Sequence, residues 1–131
     1  MKKPRFVYYN ANPFRKHVGD CVYRALSVFL DKTWREALNE LVSWTADRGL
    51  VSNYRSGYTA FLADKGYSRK RKPRDENKKE ITVGQFCELI AEDDKVYLVS
   101  MARHLTVVRE RTIFDTWDCS NRIVDGYWER M

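Results

Sequence analysis

The hydrophobic period of this chain changes once, at Asp93-Asp94, and that change limits the fold more than any other feature. Before it, apolar residues recur every three or four positions. Ala37, Leu38, Leu41 and Val42 form one such stripe, Tyr58, Phe61 and Leu62 a second, and Val83, Phe86, Leu89 and Ile90 a third. This is the spacing of amphipathic helices. Beyond Asp94 the chain reads as strands at 95–101, 105–109, 112–117 and 123–128, rich in Val, Ile, Leu, Thr and aromatic residues. Helices followed by an antiparallel sheet define an α+β fold, with N-terminal helices packed on a C-terminal sheet. The helices are expected at about 20–30, 34–47, 56–65 and from 83 onward. Thr33 with Glu36, and Thr82 with Gln85, have the spacing of capping boxes. Residues 6–9 read as a short extended segment, and Asn10-Ala11-Asn12-Pro13 as a turn. A length of 131 residues suits one domain over 1–131.

The helix at 20–30 opens with Gly19-Asp20-Cys21 and continues as an apolar run. Glycine permits a tight turn and aspartate is a good N-cap, which puts Cys21 in the first helical turn. Unpaired N–H groups and the helix dipole place partial positive charge there and favour the thiolate. Against this stands the common use of free cysteine as a small core residue, the reading that suits Cys87 on its helical stripe.

Three cysteines and two histidines, with no repeated CxxC spacing, exclude a disulfide scaffold and a structural zinc site, and point to a reducing, cytoplasmic interior. No apolar run reaches the length of a membrane span, so no membrane partner is expected and no cofactor is implied. The net charge is +6. Residues 69–80 hold seven basic and three acidic side chains. They read either as a solvated loop at 67–80 or as an arm whose Arg69, Lys70, Arg71 and Lys72 meet an acidic protein or nucleic acid.

His104 begins one β-rich segment and Asp115 lies eleven residues later. If 104–109 and 112–117 form a hairpin, facing residues have numbers summing to about 219–221. His104 then stands near the level of Asp115 to Trp117. A carboxylate beside a histidine fixes its tautomer and orientation, as a catalytic base requires. Asp118 is a spare partner pointing to the opposite face. Cys119 reads as a loop residue or a resolving thiol, and His17 as a weaker base.

The order Cys21, His104, Asp115 resembles that of papain-like cysteine peptidases, whose nucleophile starts the main helix and whose His and Asn or Asp follow on the sheet. Asp115-Thr116-Trp117 is similar to the Asn-Ser-Trp of papain, and Asp20-Cys21 to the acidic-Cys pair of bacteriocin-processing (C39-like) peptidases. The whole chain also resembles small phage and bacterial proteins that share a Gly-Asp-Cys-Val-x-Arg-Ala opening and a His-to-Asp-x-Trp-Asp ending. This resemblance implies a papain-like fold and a thiol peptidase, or acyl hydrolase or transferase, that cuts a peptide or isopeptide bond with a Cys21-His104-Asp115 triad. The alternative is a catalytically weak binding protein on the same fold, using its basic loop. The Cys-Gly-Ser-Cys-Trp signature is absent, and no Gln occurs in residues 1–20 to donate to the oxyanion. Asn12 or Asn10 is the candidate replacement, with His17 also able to donate.

Overall fold

The computed structural model describes residues 5–131. In chain order the elements are β1 (Phe6–Tyr8), α1 (Cys21–Phe29), α2 (Trp34–Ala46), α3 (Arg55–Asp64), α4 (Val83–Leu89), β2 (Val96–Met101), β3 (His104–Arg109), β4 (Thr112–Asp115) and β5 (Gly126–Arg130). The architecture is α+β, with four helices and one five-stranded sheet in the order β1-β4-β3-β2-β5. Among the described residues, no helix is long and apolar enough to cross a membrane.

The sheet is mixed rather than antiparallel. β2 pairs antiparallel with β3 and β5, and β3 with β4, but β1 runs parallel to β4, with Phe6 opposite Ile113 and Tyr8 opposite Asp115. A parallel pair needs a long crossover, and here everything from α1 to β3 supplies it. The β3–β4 hairpin pairs Val107 with Phe114 and Val108 with Ile113. Its turn residues, Glu110 and Arg111, both have positive φ, at 53° and 58°, which matches the twist of two-residue hairpins.

Alternation along the strands divides the core in two. Leu98, Leu105, Val107 and Trp128 pack with Leu26 and Phe29 of α1, Leu41 of α2 and Leu62 of α3. Tyr97, Val99, Met101 and Val108 pack with Phe86 and Cys87 of α4. Both capping boxes form. The Thr33 hydroxyl accepts from the Glu36 N–H at 3.1 Å and the Glu36 carboxylate from the Thr33 N–H at 2.9 Å, with the same reciprocal pair between Thr82 and Gln85.

Two boundaries differ from the sequence expectation. β4 ends at Asp115, because the Asp115 carboxylate binds the Thr116 N–H at 2.7 Å and turns the chain. β5 starts at Gly126 because the residues before it pair elsewhere: Ile123 bridges to Thr82, and the Val124 N–H donates to the Ile81 carbonyl.

The basic segment is not a free loop. Lys70 forms an antiparallel bridge with Tyr127, so this stretch runs along the outer edge of β5. Lys70 pairs with Glu129 at 3.2 Å and Lys72 with Glu80 at 3.2 Å. Arg69 packs over the Trp128 ring and against Gly126, where an added Cβ would lie 2.5 Å from its guanidinium carbon. Of the four side chains offered to a partner, Arg69, Lys70 and Lys72 are thus engaged within the protein, and Arg71 is exposed.

Candidate active site

Cys21 is the first residue of α1 and half-buried. Gly19, at φ +67°, makes the turn that delivers it, a conformation costly for residues with a Cβ. Asp20 holds the N-cap position but makes no side-chain capping bond. Its buried carboxylate instead accepts from Arg24 Nε at 2.8 Å, Trp34 Nε1 at 2.9 Å and Asn12 Nδ2 at 3.3 Å. Burial alone would raise its pKa, but Arg24, Trp34 and Asn12 together lower it.

The hairpin supplies the other groups. His104 begins β3 and Asp115 ends β4, at the same end of the sheet. His104 Nε2 lies 2.6 Å from Asp115 Oδ2, and the imidazole is mostly buried. The Asp115 carboxylate also accepts from Thr106 Oγ1 at 2.6 Å and from Arg24 Nη1 at 3.0 Å. With the Thr116 N–H, each carboxylate oxygen has two donors, a full complement. Burial would raise the Asp115 pKa, but His104, Thr106 and Thr116 bring it below the ordinary value.

Cys21 and His104 line the same cleft, and each shifts the other's pKa. Since Nε2 faces Asp115, Nδ1 is the nitrogen left for the thiol. Burial pushes the Cys21 pKa up, but the bond to His104, the Leu105 backbone N–H and the charges of His104 and Arg24 bring it below that of a free thiol. For His104, burial acts downward, yet bonds to Asp115, Cys119 and Cys21 push its pKa up to about 11. The same contacts thus favour the imidazolium on His104 and make the Cys21 thiolate more accessible than that of a free thiol. Cys87, where burial outweighs the charges of Arg5 and Arg111, has its pKa pushed up to about 12.

Trp117 packs against His104 with ring centroids 4.8 Å apart and planes tilted by 51°, and Arg122 lies over the indole while donating to the Ala102 carbonyl at 2.9 Å. This aromatic cover screens the ion pair from water on one side.

Cys21 and His104 open into a cleft of about 700 Å³ between the tip of the β2–β3 hairpin and α3. Its walls include Tyr54, Arg55 and Tyr58 from the α3 side, and Met101 and Arg103 from the hairpin. Asn12 and Asn10 do not line it. The Asn12 amide is buried on Asp20, and the Asn10 amide donates to the Lys16 carbonyl at 3.3 Å. The sequence therefore offered the wrong amides for an oxyanion. The helix-start N–H groups, that of Cys21 included, remain as donors without an intrahelical acceptor. His17 is exposed and outside the cleft, and the Asp118 carboxylate accepts from the Ser120 N–H at 3.0 Å.

Cys119 is fully buried beside the dyad, its Sγ 4.0 Å from Asp115 Oδ2. One ligand atom each from His104, Asp115 and Cys119 lie within 4.8 Å of one another, the spacing of a small metal site. The donor set fits a cation poorly: the carboxylate is saturated, and the Arg24 guanidinium sits on it.

Arg24 was overlooked in the sequence. Its i,i+4 spacing from Asp20 was visible, but its second partner lies 91 residues away. Thr106, Tyr58 and Arg55 carried no sequence signal beyond strand and helix periodicity. No family model matches the chain, and no curated protein or solved structure matches it.

Proposed function

We propose that the protein is a papain-like cysteine hydrolase, a thiol peptidase or acyl transferase acting on a peptide or isopeptide bond in a reducing, cytoplasmic setting. The observation that carries this reading is that Cys21 and His104 line one open cleft while His104 Nε2 lies 2.6 Å from the Asp115 carboxylate. The Cys21 thiolate attacks the substrate carbonyl carbon. The oxygen takes the electron pair of the broken π bond and faces the N–H groups at the start of α1. The His104 imidazolium protonates the departing amine as its C–N bond breaks, leaving an acyl-thioester on Cys21. Neutral His104 then takes a proton from water, or from an acceptor nucleophile, as that group displaces the thiolate. Asp115 orients the ring throughout, and Arg24 with Thr106 holds Asp115.

The order of the three residues and the Asp-Thr-Trp sequence support the papain-like assignment. A binding role through the basic segment has weaker support, because Arg69, Lys70 and Lys72 already have partners in the fold. The test is alkylation by iodoacetamide at neutral pH, followed residue by residue by mass spectrometry. Cys21 is expected to react at least about 100-fold faster than Cys87, and an activated ester should leave an acyl group on Cys21. Equally slow labelling of the two thiols overturns the proposal.

A further inference from the structure

The cleft is chemically one-sided. Arg55 and Arg103 both line it, and none of its described lining residues is acidic. Arg103 sits at the tip of the β2–β3 hairpin, next to His104, at φ +59°. A residue with a Cβ is strained in that region, and glycine would relieve it. Arg103 is exposed and forms no ion pair among the described residues. Across the cleft, Arg55 is fixed by Asp125 at 2.9 Å, which orients its guanidinium but leaves the side chain about half exposed. Behind this wall, Arg69 carries a further positive charge and a buried Nε without a partner. Two guanidinium groups flanking a nucleophile in a cleft without carboxylates form an anion subsite, and their planar forks suit a carboxylate.

We propose that the cleft selects substrates bearing a carboxylate close to the bond presented to Cys21, held between Arg103 and Arg55. The substrate class is then an acidic peptide, with an Asp or Glu side chain or a free C-terminal carboxylate beside the scissile bond. The proposal rests on Cys21 being the nucleophile, and its test separates the two ideas.

The probes are iodoacetate and iodoacetamide, which alkylate a thiol by the same displacement of iodide and differ in carrying a carboxylate or a neutral amide. The quantity measured is the ratio of their rate constants at Cys21, by peptide mass spectrometry of the full chain at low salt. At an effective dielectric of about 40–60, between that of a protein surface and bulk water, a unit charge roughly 6–8 Å from the reagent's carboxylate changes such a ratio by about three- to tenfold. Arg103→Gln is expected to lower the ratio about fivefold and Arg55→Gln about threefold, since Asp125 already screens Arg55. Arg103→Lys should keep most of the wild-type ratio. Lys79→Gln, the same charge change on the exposed distal loop, should move it by less than about 1.5-fold. If Arg55→Gln unfolds the protein, Arg103→Gln on the exposed hairpin tip carries the test alone. A ratio unmoved by Arg103→Gln, or moved equally by Lys79→Gln, overturns anion selection. Slow alkylation by both reagents overturns the nucleophile assignment instead, and the ratio still reports the charge of the cleft.

Discussion

Replacing Arg24 with Gln removes the one side chain that touches both carboxylates of the site. Its Nε lies 2.8 Å from Asp20 Oδ1 and its Nη1 3.0 Å from Asp115 Oδ1. The side chains are 12%, 5% and 2% exposed for Arg24, Asp20 and Asp115, so water cannot replace the guanidinium. Breaking a buried pair by removing one partner costs about 3–5 kcal/mol, because the remaining charge stays buried. Asp20 keeps Trp34 and Asn12, and Asp115 keeps His104 and Thr106, so a loss near the lower limit, about 3 kcal/mol, is expected. For a domain of this size that lowers the unfolding midpoint by about 10–15 °C. The pH dependence follows from the carboxylates. Both have folded pKa values below the ordinary 3.8, so the stability they contribute is present above that value and lost as pH falls through the folded values. Without Arg24 the depression weakens. The deficit of Arg24→Gln is therefore largest near neutral pH and shrinks below about pH 4. Calorimetry across about pH 3–8 measures it, and Arg24→Gln/Asp115→Asn should recover part of the loss. A midpoint change under about 2 °C at neutral pH, or a deficit that grows on acidification, would refute the buried bridge.

Three further outcomes are expected. Asp115→Asn removes the charge that raises the His104 pKa, so less imidazolium stabilises the thiolate. The midpoint of the pH–alkylation curve of Cys21 should move upward, with labelling near pH 6 falling about tenfold; an unmoved curve would detach Asp115 from the thiol. Trp117→Ala uncovers the imidazole, and faster solvent exchange of its ring protons in NMR spectra should accompany a loss of about 1–2 kcal/mol in urea unfolding; unchanged exchange would mean the indole is no shield. Gly57→Ala places a Cβ 2.1 Å from the Val51 carbonyl oxygen, so the α3 wall of the cleft must shift. Urea denaturation should show a cost of about 1–3 kcal/mol, and full stability would show that the loop at Val51 yields freely.

What the sequence could reveal depended on how local the determining interaction was. The two capping boxes rest on contacts three residues apart and form where the spacing places them; the helices form as well, but Val42 and Leu89, which the stripes put on the apolar faces, are exposed. Hairpin arithmetic placed His104 near the level of Asp115 to Trp117; the register of 221, with Val107 opposite Phe114, puts Thr106 across from Asp115 and leaves His104 two residues further along, within reach of the carboxylate. Asp20 was a reasonable N-cap by residue type, but Arg24 and Trp34 outcompete the backbone for its carboxylate, and their convergence is tertiary. Strand β1 was visible as an extended segment, yet three residues carry no information about which neighbour they join or in what direction. The basic run looked solvated because charge counts say nothing about main-chain pairing, and the Lys70 bridge to Tyr127 uses only the main chain. The Asn12 amide illustrates the same limit: its distance from Cys21 along the chain was suitable, but its hydrogen bond points into the fold.

The parallel seating of β1 against β4 also sets a timetable. Tyr8 stands opposite Asp115, and the Tyr9 N–H donates to the Asp115 carbonyl at 2.9 Å, so β1 clamps a segment synthesised about a hundred residues after it. A chain still emerging from the ribosome holds Cys21 without its imidazole, and His104 remains unbuttressed until the β4 segment arrives. Until then the sulfur lacks the His104 and Leu105 neighbours that lower its pKa, and they arrive with closure of the sheet.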